Sequence, residues 1–170
     1  IDYGQFFLTL LYLVLLPIYS FAAQIVFTSP PENFHPKVDV AACFIKVGDK
    51  FLFLKGLTSK AHGETWGIPG GKCEKGETAL EAIIREVLEE TGIALQSSKI
   101  RDCKVVYFRH PTIDFTYHMF EYTLESSPKV QIQKDEHSDF RFLTLQEALE
   151  SLPLIPGEAE CIDIVYGVKK

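Results

Sequence analysis

Positive charge is missing from the start of this chain: no lysine or arginine precedes Lys37. Over the full 170 residues, 17 basic residues are outnumbered by 23 acidic ones, a formal net charge of −6. That balance argues against a nucleic-acid polymer as partner, because phosphate backbones are held by a cationic footprint. It leaves room for a small phosphate-bearing molecule whose charge is neutralised locally by a metal ion. Cysteine is scarce as well. Cys43, Cys73, Cys103 and Cys161 are far apart and form no CxxC pair, which excludes a disulfide framework and a structural zinc site. Cys43 and Cys103 lie in apolar, strand-like runs and read as small buried hydrophobes. There is no internal repeat.

What the beginning does contain is a long apolar run, "FFLTLLYLVLLPIYSFAAQIVF", Phe6 to Phe27. Three readings compete for residues 1–27. A secretory signal would have the apolar stretch and a small-residue end such as "SFAA", but it would also need a cationic start. A membrane anchor needs roughly 20 apolar residues, and this run is about that long, although Pro17 interrupts it. The third reading is a non-native extension, since the chain opens at Ile1 and its one methionine is Met119. The first two imply membrane contact or export through residues 6–27; the third leaves a cytoplasmic protein. "TSPPENFHP", residues 28–36, reads as a proline-rich linker, which places the main domain at 37–170.

Within that domain, "VDVAACFIKV" and "KFLFLKG" are β-branched and aromatic runs joined by Gly48-Asp49, a hairpin signal. "LTSKAHGET" is polar and aperiodic, a loop. "WGIPGGKCEKGE" brings four glycines and leads into a helix. Thr78 and Glu81 have capping-box spacing; Leu80, Ile83, Ile84, Val87 and Leu88 form an apolar stripe; Gly92 supplies the stop. "CKVVYFR" and "DFTYHMFEYTL" predict strands joined by "HPTI", and "KVQIQ" and "DFRFL" predict two short ones. "TLQEALESL" predicts a second capped helix, from Thr144 and Glu147, and "GEAECIDIVYGV" a third. Strands around one central helix, with helices following, indicate an α/β or α+β fold with a sheet between helices.

The central helix ends in "REVLEETGI", Arg85 to Ile93. At about 100° per residue, Glu86, Glu89 and Glu90 share one face turned away from the apolar stripe. Like charges at this spacing cost roughly 0.2–0.5 kcal/mol per pair. A hard divalent cation reverses that sign, because clustered carboxylate oxygens suit Mg²⁺ or Mn²⁺. Glutamates are also good helix formers on a solvated face, so the helix alone does not decide between the two.

The glycine-rich approach does. "GKCEKGETALEAIIREVLEETGI", Gly71 to Ile93, matches G-x5-E-x7-R-E-U-x-E-E-x-G-U, with U a bulky aliphatic, at all nine specified positions. This resembles the defining 23-residue box of the Nudix hydrolase family, and "TWGIPGG" before it and "KDEHSDFRFLTLQEAL" after it are similar to typical members. The resemblance covers most of Val38 to Leu152 and none of the first 36 residues. It implies an α/β/α sandwich around a central mixed sheet, with the box as a loop–helix–loop. It implies divalent metal, Mg²⁺ or Mn²⁺, on Glu86, Glu89 and Glu90 with help from a backbone carbonyl near Gly71. Arg85 would hold a catalytic glutamate in place, and Glu77 would tie loop to helix. The implied chemistry is hydrolysis of a nucleoside diphosphate linked to another group. Metal would stabilise charge on the attacked phosphorus and the leaving oxygen, and a glutamate would serve as general base. Glu89 and Glu136 both qualify as that base. His137, His62 and His110 read as loop or surface residues, since oxygen-ligated Mg²⁺ has little use for imidazole. Lys72 is a candidate phosphate contact, and Trp66, with Tyr107 and Phe108, a candidate to stack on a base; strand aromatics, however, usually belong to the core.

Subgroup signals are weak. Pro111 is the eighteenth residue after Ile93, a poor fit to ADP-ribose hydrolases, and Tyr107 and Tyr117, fourteenth and twenty-fourth, do not fit the dinucleoside-polyphosphate type. The default is a small MutT-like enzyme converting nucleoside triphosphates to monophosphate and pyrophosphate. The alternatives are a nucleotide-sugar or ADP-ribose pyrophosphatase, and a non-catalytic nucleotide-sensing module. Oligomeric state is not legible.

Overall fold

The hairpin signal at Gly48-Asp49 forms as expected: β2 (Pro36–Val47) turns into β3 (Lys50–Gly56) with Lys46 opposite Phe51, and Gly48 takes a positive φ of 61°. The computed structural model describes residues 24–59 and 63–170. The expectations attached to Phe6–Ala23 and to His62 lie outside the described residues. No helix among the described residues is long and apolar enough to cross a membrane.

The other strands are β1 (Val26–Phe27), β4 (Trp66–Gly67), β5 (Gly70–Lys72), β6 (Arg101–His110), β7 (Ile113–Leu124) and β8 (His137–Leu143). They form one mixed sheet in the order β1-β6-β7-β2-β3-β4, with β5 on β2 and β8 on β3. β2 and β7 run parallel over a long register from Val38↔Phe115 to Val47↔Leu124; the other pairs are antiparallel.

Alternation along the strands builds two separate cores, as a sheet buried on both faces requires. Ala42, Phe44, Phe51, Phe53, Val106 and Met119 face one side, where α2 (Leu145–Ser151) and α3 (Glu158–Tyr166) cover them. Ala41, Cys43, Ile45, Leu52, Leu54 and Phe120 face the other, under α1 (Ala79–Thr91). The chain is thus a mixed sheet between helical layers. Val26 belongs to the first core and pairs with Phe108. Residues on both sides of the 28–36 stretch therefore join one sheet. That stretch is itself tied down: Arg109 donates to the carbonyls of Glu32 (3.0 Å) and Asn33 (2.9 Å).

One predicted strand is absent. "KVQIQ", Lys129 to Gln133, joins no sheet. Val130 and Ile132 do pack against the core beneath α1, the inner core, which explains the alternating pattern. Its amides, however, are spent on the open end of α1: Gln131 N–H donates to Thr91 C=O at 2.8 Å and Gln133 N–H to Glu90 C=O at 3.1 Å. These are carbonyls that a helix terminus leaves without partners.

Candidate active site

α1 starts on the predicted capping box, with Thr78 and Glu81 each accepting from the other's backbone N–H, and ends on Gly92 at φ 73°. Its orientation differs from the wheel. Its buried residues are Ala82, Ile83, Val87, Glu90 and Thr91, whereas Leu80 and Leu88 are exposed. Small Ala41 and Cys43 on β2 accept Ala82, Ile83 and Val87 in the inner core, and this contact sets the helix's rotation. Glu86, Glu89 and Glu90 consequently do not share one open face. Glu90 is 7% exposed, while the Glu89 side chain is 51% exposed.

Each carboxylate has its own counter-group. Glu90 accepts from Gly70 N–H at 2.8 Å on one oxygen and meets His137 Nε2 at 2.8 Å on the other. Glu86 lies against Gly71, where a Cβ would overlap its carboxyl group in this position, so glycine lets the carboxyl group rest against the backbone there. Arg85 bridges the rest. Its Nε and Nη2 each donate to Glu77 at 2.8 Å, Nη1 donates to Glu86 at 2.7 Å and more weakly to Glu89 at 3.3 Å, and Nη2 also reaches Lys72 C=O at 3.1 Å. The bidentate grip on Glu77, whose carboxylate also accepts from Glu74 N–H, ties the loop of the box to its helix.

These contacts shift the acids in opposite directions. The Arg85 hydrogen bonds, with the Glu74 amide, hold Glu77 down at about 2. Burial pushes Glu86 up; the Arg85 pair opposes this and the Glu90 and Glu89 charges add to it. A half-buried carboxylate raised chiefly by its burial, with two further carboxylates beside it, is stabilised in its charged form by a cation. Among the described residues no three acidic, histidine or cysteine side chains converge as a ready-made metal cage. The donors nevertheless fit a hard divalent ion: carboxylate oxygens from one rigid helix, beside a glycine whose missing side chain opens the approach.

His137 is not the surface residue expected from the sequence. β8 opens on it, opposite Gly56, where the β3–β8 register shifts. That irregularity brings its half-buried ring onto Glu90, a pairing no sequence periodicity encodes. Burial pulls its pKa down, but the Glu90 hydrogen bond and the Glu90 and Glu136 charges outweigh it, so the net direction is upward. Its Nδ1 is buried without a partner. Glu136 precedes it in the loop, whose carbonyl accepts from Leu57 N–H at 3.1 Å. Glu90, His137 and Gly70 line a small cleft of about 190 Å³ together with Ile155.

Ile155 also lines a larger, mainly apolar cavity of about 420 Å³, walled by Phe108, Phe115 and Tyr117, with Lys72 among its lining residues. Lys72, the second residue of the box, thus also lines the cavity. Phe108 and Phe115 stack with centroids 4.7 Å apart. Trp66 is elsewhere: it is 4% exposed in the core with the Arg141 guanidinium 4.9 Å over its ring, and a stacking base would first have to displace that arginine. Tyr107 packs edge-on against Phe34.

At the cavity wall sits Glu158, the first residue of α3 and 3% exposed. An acid in a first helical turn ordinarily signals a dipole partner in water, so the sequence offered no hint of its burial. The connection after α2 puts it there: Trp66 N–H donates to Pro153 C=O and Ile155 N–H to Trp66 C=O, both at 2.9 Å. Gly157 turns at φ 92° under Phe108, too close for any Cβ. Burial raises Glu158 to about 7, opposed only by a hydrogen bond from the Ile68 amide. The raised value means its contribution to stability is full below pH 4.5 and is lost as pH rises through about 7. At one pKa unit per about 1.4 kcal/mol, the loss is on the order of 3 kcal/mol. Melting temperature measured at pH 5 and pH 8 is therefore expected to fall several degrees less in Glu158→Gln than in the wild type. Parallel curves would contradict a buried, titrating Glu158.

Comparison with known proteins agrees with this geometry. The NUDIX domain family model matches residues 35–163. A Bacillus subtilis protein named as an uncharacterized Nudix hydrolase, YvcI, is 26% identical over 127 residues, 74% of this chain and 77% of the relative. An 8-oxo-dGTP diphosphatase of Proteus vulgaris is 35% identical over 82 residues, 46% of this chain and 73% of the relative. Among solved structures, a bifunctional NMN adenylyltransferase/ADP ribose pyrophosphatase of Francisella tularensis, complexed with AMP and a Mn ion, superposes with a TM-score of 0.65 at 22% identity, covering 79% of this chain and 42% of that one.

Proposed function

This chain belongs to the Nudix family of pyrophosphohydrolases, whose members generally need divalent metal and act on nucleoside diphosphate derivatives, and from that premise we propose that it hydrolyses nucleoside triphosphates to monophosphate and pyrophosphate. The observation carrying this reading is the juxtaposition of the acidic box with an aromatic-walled cavity, which Lys72 of the box helps to line. Such a cavity suits a nucleobase, and roughly 300–1,000 Å³ is the usual size of a small-molecule pocket. The acidic side suits the metal-borne phosphates.

Glu86, Glu89 and Glu90, with the Gly71 backbone beside them, would hold Mg²⁺ or Mn²⁺. The ion supplies charge neutralisation of the phosphate chain and acidifies water. Arg85 keeps Glu86 and Glu89 oriented from its anchor on Glu77, and His137 does the same for Glu90. The attacking water gives up a proton to a carboxylate, for which Glu89 and Glu136 are the two candidates; single Gln variants distinguish them, the true base giving the larger loss in kcat. Lys72 attracts the phosphates at the cavity mouth. Overall, one water is consumed and one P–O bond of the anhydride breaks. Four unpaired cysteines suit a reducing compartment such as the cytoplasm.

A panel of nucleoside triphosphates with ADP-ribose as comparator, with Mg²⁺, with Mn²⁺ and with chelator, tests the reading. Pyrophosphate release that requires the metal is expected. Metal-dependent release from ADP-ribose alone would replace the triphosphate assignment, and no hydrolysis of any compound would leave a binding module.

A further inference from the structure

β8 pairs with β3 along one side, and among the described residues no strand lies along its other edge. Ser138, Asp139, Phe140 and Arg141 are exposed in succession, so both faces of the strand meet solvent there. The direction of its backbone groups follows from β3. Gly56 donates to Thr65 C=O at 3.0 Å and accepts from Glu64 N–H at 3.2 Å, both on the β4 side. Its neighbour Lys55, and with it Phe53, therefore turn their amides toward β8. Their register partners Asp139 and Arg141 face back to β3, and Phe140 presents its N–H and C=O to the open edge. The Phe140 N–H donates to the Asp139 carboxylate at 2.8 Å, in keeping with that direction. An open edge is a template for a further strand, and this one carries an aromatic side chain that is 38% exposed.

We propose that this edge pairs antiparallel with the same edge of a second copy of this chain, about a two-fold axis at Phe140. Charge selects both the partner and the register. Centring on Phe140 sets Asp139 opposite the partner's Arg141, and Arg141 opposite the partner's Asp139. These are non-hydrogen-bonded positions of the new ladder, where facing side chains come closest and opposite charges attract. Phe140 meets the partner's Phe140 at a hydrogen-bonded position, on the face that also carries Phe142 and, across β3, Leu52 and Leu54. A parallel pairing in register would set Asp139 on the partner's Asp139 and Arg141 on the partner's Arg141. A slip of one residue would set the Phe140 ring against a charge. Within one chain the two charges have little use for each other: Arg141 Nε is 3.8 Å from Asp139 Oδ2, and both side chains are about half exposed. The Arg141 guanidinium is nonetheless held over the Trp66 ring at 4.9 Å, which steadies it on the strand's outer face. On pairing, the Phe140 N–H passes to the partner's Phe140 carbonyl, and the Asp139 carboxylate it leaves turns to the partner's Arg141. The inference concerns assembly, and it stands whether or not the chain hydrolyses nucleotides.

Sedimentation equilibrium of the full chain over a concentration series is the test. Wild type is expected to dimerise. Asp139→Arg and Arg141→Asp each turn both attractive pairs into repulsive ones, so either variant alone should associate roughly 10- to 100-fold more weakly. An equimolar mixture of the two restores opposite charge at both positions and should dimerise about as tightly as wild type. A variant weakened merely by a damaged fold would not be rescued in this way. Melting curves establish that each variant is folded. Wild type that stays monomeric throughout overturns the proposal and leaves the edge to a strand of another protein. A dimer that neither folded variant weakens forms through another surface and also overturns it, as does a mixture that is no tighter than its components. Should either variant not fold, hydrogen exchange of the wild type decides. Protection of the Phe140 and Phe142 amides should rise with protein concentration, and protection that does not change with concentration overturns the proposal.

Discussion

Replacing Glu90 with glutamine is expected to lower kcat/KM by on the order of 10³, with Glu86→Gln close behind, because under the proposed function each would remove one charged oxygen ligand from a metal asked to stabilise several kcal/mol of transition-state charge. Glutamine keeps the volume of Glu90 and its carbonyl still accepts from Gly70 N–H, so the backbone of the box is held. What is lost is the negative charge, and with it the charged partner of His137 and, under the proposed function, metal affinity. The decisive measurement is activity against Mg²⁺ concentration alongside a melting curve. A rate loss of that size, an Mg²⁺ requirement displaced to higher concentration and a melting temperature within a few degrees of wild type are expected. A Glu86→Gln, Glu90→Gln double variant with normal rate and normal Mg²⁺ dependence would remove these residues from the metal site.

The contrast between Glu90 and Glu158 shows what sequence patterns carry and what they omit. Spacing placed Glu90 in the box and predicted its helix, its cap at Thr78 and its stop at Gly92, all of which stand. These are local properties, set within about one turn of helix. Period also identified the paired strands on either side of Gly48-Asp49 and the two later helices. Rotation of α1 was misjudged because it depends on which residues across the gap are small. Ala41 and Cys43 on β2 lie some 40 residues away in sequence, and they draw Ala82 inward and leave Leu88 half exposed. The "KVQIQ" alternation was real but ambiguous: Val130 and Ile132 are partly buried, and only the competing demand of α1's open carbonyls decides that the segment is not a strand. His137 and Glu158 owe their burial to a register shift and to the docking of a loop against Trp66. Neither event leaves a mark within several residues of the side chain concerned, so both residues looked like surface charges.

Arg85→Ala is the second large effect, and it separates orientation from stability. Arg85 makes contacts to Glu77, Glu86, Glu89 and the Lys72 carbonyl from a side chain that is 24% exposed. Removing it leaves three carboxylates facing one another without their cation and frees the loop of the box from its helix. Loss of an outer-sphere group that orients metal ligands typically costs about 10–100-fold in metal affinity or activity, and the fall here should appear in kcat rather than KM, because the cavity walls are untouched. The stability change should be smaller, since most of the helix's hold on the sheet comes from Ala82, Ile83 and Val87, all fully buried. Glu77, freed from its fork, should return from about 2 toward the ordinary carboxylate range, a shift readable by carboxyl NMR titration. Arg85→Lys keeps the charge but cannot make the planar fork to Glu77, so it should recover only part of kcat. If melting temperature and kcat fell together in Arg85→Ala and both returned fully in Arg85→Lys, Arg85 would be a bulk charge holding the fold together and not the group that sets the carboxylates.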